Sequence, residues 1–205
     1  MTGGASDIRQ RGEPLLEALD EHAPGSREHA DATSAYAFAV AVEIGLGRED
    51  CELIREAARV HEIGKLYLPS ELLARQPIEL SAAEHEQLAS YQGASHTLAL
   101  GAGISDEVCT WVLLTRERFD GAGPGRLAEE GIPIASRIIR VGCAYRTLLE
   151  SHSAVSPQEA RRGALGWLRA AGGAELDPGL VEALGRVVER ATGAPPRGQF
   201  PEGRA

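Results

Sequence analysis

The stretch LIREAARVHEIGKLYLPSELLAR, residues 53–75, decides how this chain is read. Leu53, Ala57 and His61 recur at four-residue steps, with Ile54, Ala58 and Glu62 in the row beside them. That spacing predicts a helix from about Glu49 to Ile63. Gly64 breaks it, and Pro69-Ser70 precedes a short helix at ELLAR. The break leaves His61 and Glu62 side by side at a helix end, with Lys65 just beyond. A histidine and an adjacent carboxylate can reach one cation if a packed neighbour supplies a third ligand. The lysine can meet a phosphate as a point charge.

Outward from this point the periodicity is helical almost everywhere. On the N-terminal side, Ser26 is an N-cap candidate for REHADATSAYAFAVAVEIG, where His29, Thr33, Tyr36, Val40 and Ile44 share one face. His29 is therefore the candidate third ligand. Before it, Pro14 opens a short helix, PLLEALDEH, that Pro24-Gly25 ends. On the C-terminal side, Ser81 and Glu84 make a capping box for a helix through about Leu100, and Ser105 is placed to cap DEVCTWVLLTRE. DGAGPG is a loop by composition, and Pro133 opens IPIASRIIRVGCAYRTLLE. Ser156-Pro157 with Glu159, then Asp177-Pro178, start the last two helices. The expectation is one all-α domain over residues 26–192, preceded by a segment (1–25) with a short helix and followed by a disordered Gly- and Pro-rich tail at 193–205.

Composition narrows the function classes. At 205 residues, 43% hydrophobic and 25% charged, the chain suits one globular domain with a sizeable core. No stretch reaches the roughly 20 apolar residues of a membrane span, and the N-terminus lacks a signal-peptide core. Cys51, Cys109 and Cys143 form no paired framework, which fits a reducing cytoplasm. A net charge of −9 argues against nucleic-acid polymers and anionic membranes as partners. Lys65 is the only lysine among 21 basic residues. Cys51 and Cys109 read as packing residues, and Trp111 and Trp167 as core fillers.

The order and spacing of His29, the stretch 53–88, TRERFDGAGP, IPIASRIIRVGCAYRTLL and LDPGLVEAL resemble the HD-GYP family over about residues 26 to 190. That family belongs to the HD-domain phosphohydrolases, whose active members hydrolyse cyclic di-GMP at two or three metal ions. The resemblance implies an all-α HD-domain helical bundle of the HD-GYP type. It also implies a metal role for His29 and for the HD pair, written here His61-Glu62, with Lys65 as phosphate contact. The departures are specific. The family's next histidine aligns with Tyr91, its paired histidines with Thr115 and Arg116, and its late aspartate with Cys143. The second acid of that segment aligns with Arg146, and the tyrosine of GYP is missing before Pro124.

What survives is a mononuclear set: His29, His61, Glu62 and Cys143, whose thiolate and imidazoles favour zinc or iron, with manganese also admissible, over magnesium. Tyr91 and Thr115 are poor ligands, and Arg116 would put a fixed cation where the second metal belongs. At most one ion is expected, or none. Three readings stand: a pseudoenzyme that binds a cyclic dinucleotide, another nucleotide or a signalling protein; a one-metal phosphodiesterase or phosphohydrolase; and a structural helical module. The ligand count favours the first. Lys65, Arg116 and Arg146 are then the candidate ligand contacts, although arginines 116, 118, 126, 137, 140 and 146 equally suit solvated helix faces. A homodimer and a partner carrying the signal complete the expectations.

Overall fold

The computed structural model describes residues 4–75, 79–152 and 154–191. The expected tail at 193–205 lies outside the described residues. The elements run α1 (Ala5–His22), α2 (Ser26–Glu43), α3 (Arg48–Val60), a 3-10 turn (Ile63–Tyr67), α4 (Ser70–Leu73), α5 (Ala82–Ala89), α6 (Tyr91–Gly101) and α7 (Asp106–Leu113). After 3-10 turns at Leu114–Arg116 and Glu129–Gly131 come α8 (Ile134–Ser151), α9 (Pro157–Ala171) and α10 (Pro178–Arg190). Among the described residues there is no strand, only an isolated bridge between Gly172 and Leu176. None of their helices is long and apolar enough to cross a membrane. The all-α expectation holds.

The bundle centres on α2, which packs against α3 on one side and α8 on the other, while α6 lies on α7 and on the 3-10 turn after α3. Phe38, Val40, Ile54, Ile138, Ile139, Tyr145 and Leu168 are among the buried residues of a single core. Cys51 and Cys109 belong to it, as expected. At Gly142 an added Cβ would lie 3.2 Å from the Thr33 carbonyl oxygen and 3.3 Å from the Ala37 nitrogen. A side chain here would press on α2 and ask its backbone to give by a few tenths of an ångström. Beside this crossing, the Tyr36 and Tyr145 rings meet edge to face at 4.9 Å.

Several boundaries differ from the sequence reading. α1 begins at Ala5, with Pro14 inside it and Ile8, Gly12, Leu16 and Leu19 buried along one stripe. Packing of that stripe, with Gly12 against Val60, outweighs the roughly 3 kcal/mol an interior proline costs a helix. The core therefore starts before residue 26. Ser26 is the first residue of α2, not its cap: its hydroxyl donates to the Ala23 carbonyl, and Gly25 is the N-cap. α3 stops at Val60 and passes into the 3-10 turn. The helix expected from Ser81 to Leu100 divides at Ser90. The capping boxes at Ser81–Glu84 and Ser156–Glu159 form, and Asp177 caps α10. Ser105 stands at the start of α7 without a side-chain cap bond.

Gly64 is the tightest point of the fold. A Cβ there would lie 2.0 Å from the Tyr91 carbonyl oxygen and 2.4 Å from the Ser95 nitrogen, while the Gly64 N–H donates to Ser95 Oγ at 2.8 Å. Gly64→Ala should therefore cost about 3 kcal/mol of stability in denaturant unfolding, because neither backbone can withdraw. Gly93→Ala, two residues into α6 beyond Tyr91 with nothing within 4 Å of its Cβ, should instead gain about 0.5–1 kcal/mol.

Candidate metal centre

Three elements converge where α3 ends. His61 caps α3 and Glu62 opens the 3-10 turn. His29 comes from the first turn of α2, and Cys143 from α8 next to the Gly142 crossing. One ligand atom from each of these four residues lies within 4.8 Å of the other three. His29 Nε2 is 3.6 Å from Glu62 Oε2 and 3.6 Å from Cys143 Sγ, and His61 Nε2 is 3.9 Å from Glu62 Oε1. Bonds of about 2.0–2.3 Å to a tetrahedral zinc place ligand atoms roughly 3.3–3.7 Å apart, so the cluster needs little contraction to close on one ion.

The partners of each ligand orient it. His61 is buried, and its Nδ1 faces the Ala58 carbonyl at 2.6 Å, so the N–H donates there. That leaves Nε2 on the side of the cluster, where it is buried with no hydrogen-bond partner among the described residues. His29 Nδ1 is 3.1 Å from Glu150 of α8, which is 3.0 Å from Arg146. A carboxylate behind a ligating imidazole fixes its tautomer and raises its basicity. Glu62 accepts a hydrogen bond from the Tyr91 hydroxyl at 3.0 Å and pairs with Lys65 Nζ at 2.6 Å.

In the metal-free cluster the Glu62 carboxylate and the Cys143 thiolate are held by protonated imidazoles and by Lys65. Burial works against the Glu62 carboxylate, but Lys65, His61 and His29 hold its pKa well below the ordinary range. Burial raises the Cys143 thiol, yet His61 and His29 bring it down to about 6. Burial opposes charging His29 as well, and Cys143, Glu150 and Glu62 outweigh it, lifting the pKa to about 10. Burial, with Glu62 and Cys143, drives the Tyr91 phenol well above its usual value, so it stays a donor to Glu62. A thiolate, a carboxylate and two imidazoles are a fitting donor set for zinc or ferrous iron.

A cavity of about 540 Å³ opens over the four donors. Lys65, Tyr91, Thr115, Arg116 and Arg140 line it, so the residues at the expected second-metal positions do surround this site. Tyr91 and Arg140 are both close enough to Arg116 to feel its charge. Arg146 is placed elsewhere: it pairs with Glu28 and Glu150 behind His29 and borders a different hollow with Asp20 and Asp31. Other arginines of the segment are engaged in the fold, Arg118 with Asp120 and Glu175, and Arg137 with Asp177. Trp167, expected to fill core, is 46% exposed on the cavity wall, because its position on α9 faces out over α8. Glu150 escaped the sequence reading, although Cys143, Thr147 and Glu150 fall at helical steps on α8. Gln92, also on the cavity wall, carried no sequence signal.

The chain is similar to known proteins in sequence and in fold. The HD domain family model matches residues 14–180. The cyclic di-GMP phosphodiesterase response regulator RpfG of Xanthomonas campestris pv. campestris is 31% identical over 175 residues, covering 83% of this chain and 45% of the relative. The chain spans 30% to 49% of the length of the curated relatives it matches. A solved cyclic GMP-AMP specific phosphodiesterase of Vibrio cholerae, V-cGAP3, has a TM-score of 0.68 at 17% identity, covering 93% of this chain and 50% of that one. The HD domain of Listeria monocytogenes phosphodiesterase PgpH, in complex with cyclic-di-AMP, has a TM-score of 0.58 at 16% identity over 83% of this chain and 91% of that chain. At such identities the structures speak for the fold alone. With the family model covering most of its length, its helices arranged as in solved HD-domain phosphodiesterases, and its HD pair written His61-Glu62, the chain belongs to the HD domain family.

Proposed function

We propose that this chain is a one-metal HD domain that captures a phosphate-bearing nucleotide and does not turn over cyclic di-GMP. The observation that carries the reading is the make-up of the cavity: one four-donor cluster on its floor and four cationic side chains, Lys65, Arg75, Arg116 and Arg140, in a wall that also holds Glu150, Glu175 and several leucines. His29, His61, Glu62 and Cys143 would hold zinc or ferrous iron. Bound there, the ion supplies a Lewis acid for a phosphate oxygen. Arg116 offers a second phosphate oxygen a planar guanidinium fork, with a fixed charge and no ligand-exchange chemistry. Lys65 holds Glu62 in place and has further N–H donors to offer. Glu150 and Arg146 keep His29 oriented from behind.

Hydrolysis of a phosphodiester asks for more than this set gives. Two-metal catalysis stabilises the attacking and leaving oxygens together. Tyr91 is committed to Glu62 as a donor, Thr115 Oγ1 is turned to the Val112 carbonyl, and Arg116 cannot give up a proton. A single-metal phosphodiesterase is the second reading, favoured by the open cavity over the donors and by relatives named as phosphodiesterases.

Protein purified without chelator or histidine tag should carry about one equivalent of zinc or iron by elemental analysis. His61→Ala should carry almost none. Adding the metal back at a hundred times its dissociation constant should raise stability by about 2.7 kcal/mol in thermal unfolding. Two equivalents would overturn the assignment of Tyr91, Thr115 and Arg116 as non-ligands.

Arg116→Ala should weaken binding of ribose 5-phosphate to the zinc-loaded protein about tenfold by calorimetric titration, leaving zinc content unchanged. Cyclic di-GMP incubated with the metal-loaded protein should remain intact by chromatography. Multiple turnovers would install the single-metal phosphodiesterase in place of the binding module.

A further inference from the structure

Two features of the cavity wall are used neither by the metal cluster nor by phosphate capture. Gln92, in the first turn of α6, is only 6% exposed, and neither its Nε2 nor its Oε1 has a hydrogen-bond partner among the described residues. Burying an amide with donor and acceptor both idle costs stability, and the fold recovers nothing for it. Trp167 is the reverse case, a large indole left 46% exposed on α9 where the same cavity is walled by Leu148 and Leu176. An exposed indole face and an idle amide on one cavity, beside a phosphate-binding floor, suit a planar ring with a polar edge.

We propose that Trp167 and Gln92 form a nucleobase subsite, with Trp167 stacking on the ring and Gln92 meeting a donor–acceptor edge of the base. The inference rests on the phosphate-binding reading above and deepens it, making the ligand a nucleotide recognised at both ends. An amide presents an N–H donor beside a carbonyl acceptor and so matches an edge with the complementary pair, as adenine offers at N6 and N7. The cavity, at about 540 Å³, falls within the roughly 300–1,000 Å³ usual for small-ligand sites. Leu72, Leu73 and Leu88 extend the apolar lining available to a base.

The test is calorimetric titration of the zinc-loaded full chain with AMP, GMP and ribose 5-phosphate. At least one purine nucleotide should bind about tenfold more tightly than the base-free phosphate. Trp167→Ala should remove that advantage and leave ribose 5-phosphate affinity unchanged. The substitution lies on an exposed position, so the fold should survive it. Gln92→Leu should also reduce the advantage, while raising the melting temperature by removing the unsatisfied amide. Equal affinity for the nucleotides and ribose 5-phosphate, or an advantage that survives both substitutions, would overturn the subsite and leave the phosphate reading intact. If no phosphate ligand binds the zinc-loaded protein, the phosphate reading fails and the subsite with it.

Discussion

The candidate site exists because α8 crosses α2 with backbone almost against backbone at Gly142. A Cβ on Gly142 would crowd the Thr33 carbonyl at 3.2 Å. One turn of α2 separates Thr33 from His29, and one residue of α8 separates Gly142 from Cys143, so the crossing brings the imidazole to 3.6 Å from the sulfur. The same packing brings Glu150 to the other face of His29. A larger residue at the crossing would move two of the four donors and the carboxylate behind one of them.

A second close approach completes the floor. Gly64 lets the turn after α3 lie on α6, which carries the Tyr91 hydroxyl to Glu62 and fixes the carboxylate beside His61. Both constraints act on backbone, and both hold buried polar groups close together. A thiolate, a carboxylate and the unpartnered His61 nitrogen in one buried cluster are expensive for a purely structural bundle. That expense distinguishes the cluster from the arginine pairs on the surface. Arg118 and Arg146 neutralise nearby acids, and exposed pairs of that kind contribute little.

The sequence was informative where local rules dominate. The capping boxes at Ser81 and Ser156 and the Asp177 cap could be read from residue types three positions apart. It was misleading where packing overrides local preference. Pro14 reads as a helix start, yet the stripe from Ile8 to Leu19 carries the helix through it. Trp167 reads as core, yet its place on α9 leaves it on a cavity wall.

The sequence by itself determined the all-helical class and the family likeness and pointed to the four residues that cluster, because helical spacing and motif order are written along the chain. The same motif order pointed to Tyr91, Thr115 and Arg116, and all three line the cavity. Only the tertiary structure decided which charged residues share a site. Arg116 and Arg140 reach the cavity while Arg146 turns to the back of His29, a choice made by the crossing of α8 over α2. Glu150 as support for His29 and Gln92 as an idle amide also belong to the three-dimensional packing. Partners brought together from distant positions leave no local pattern in the sequence.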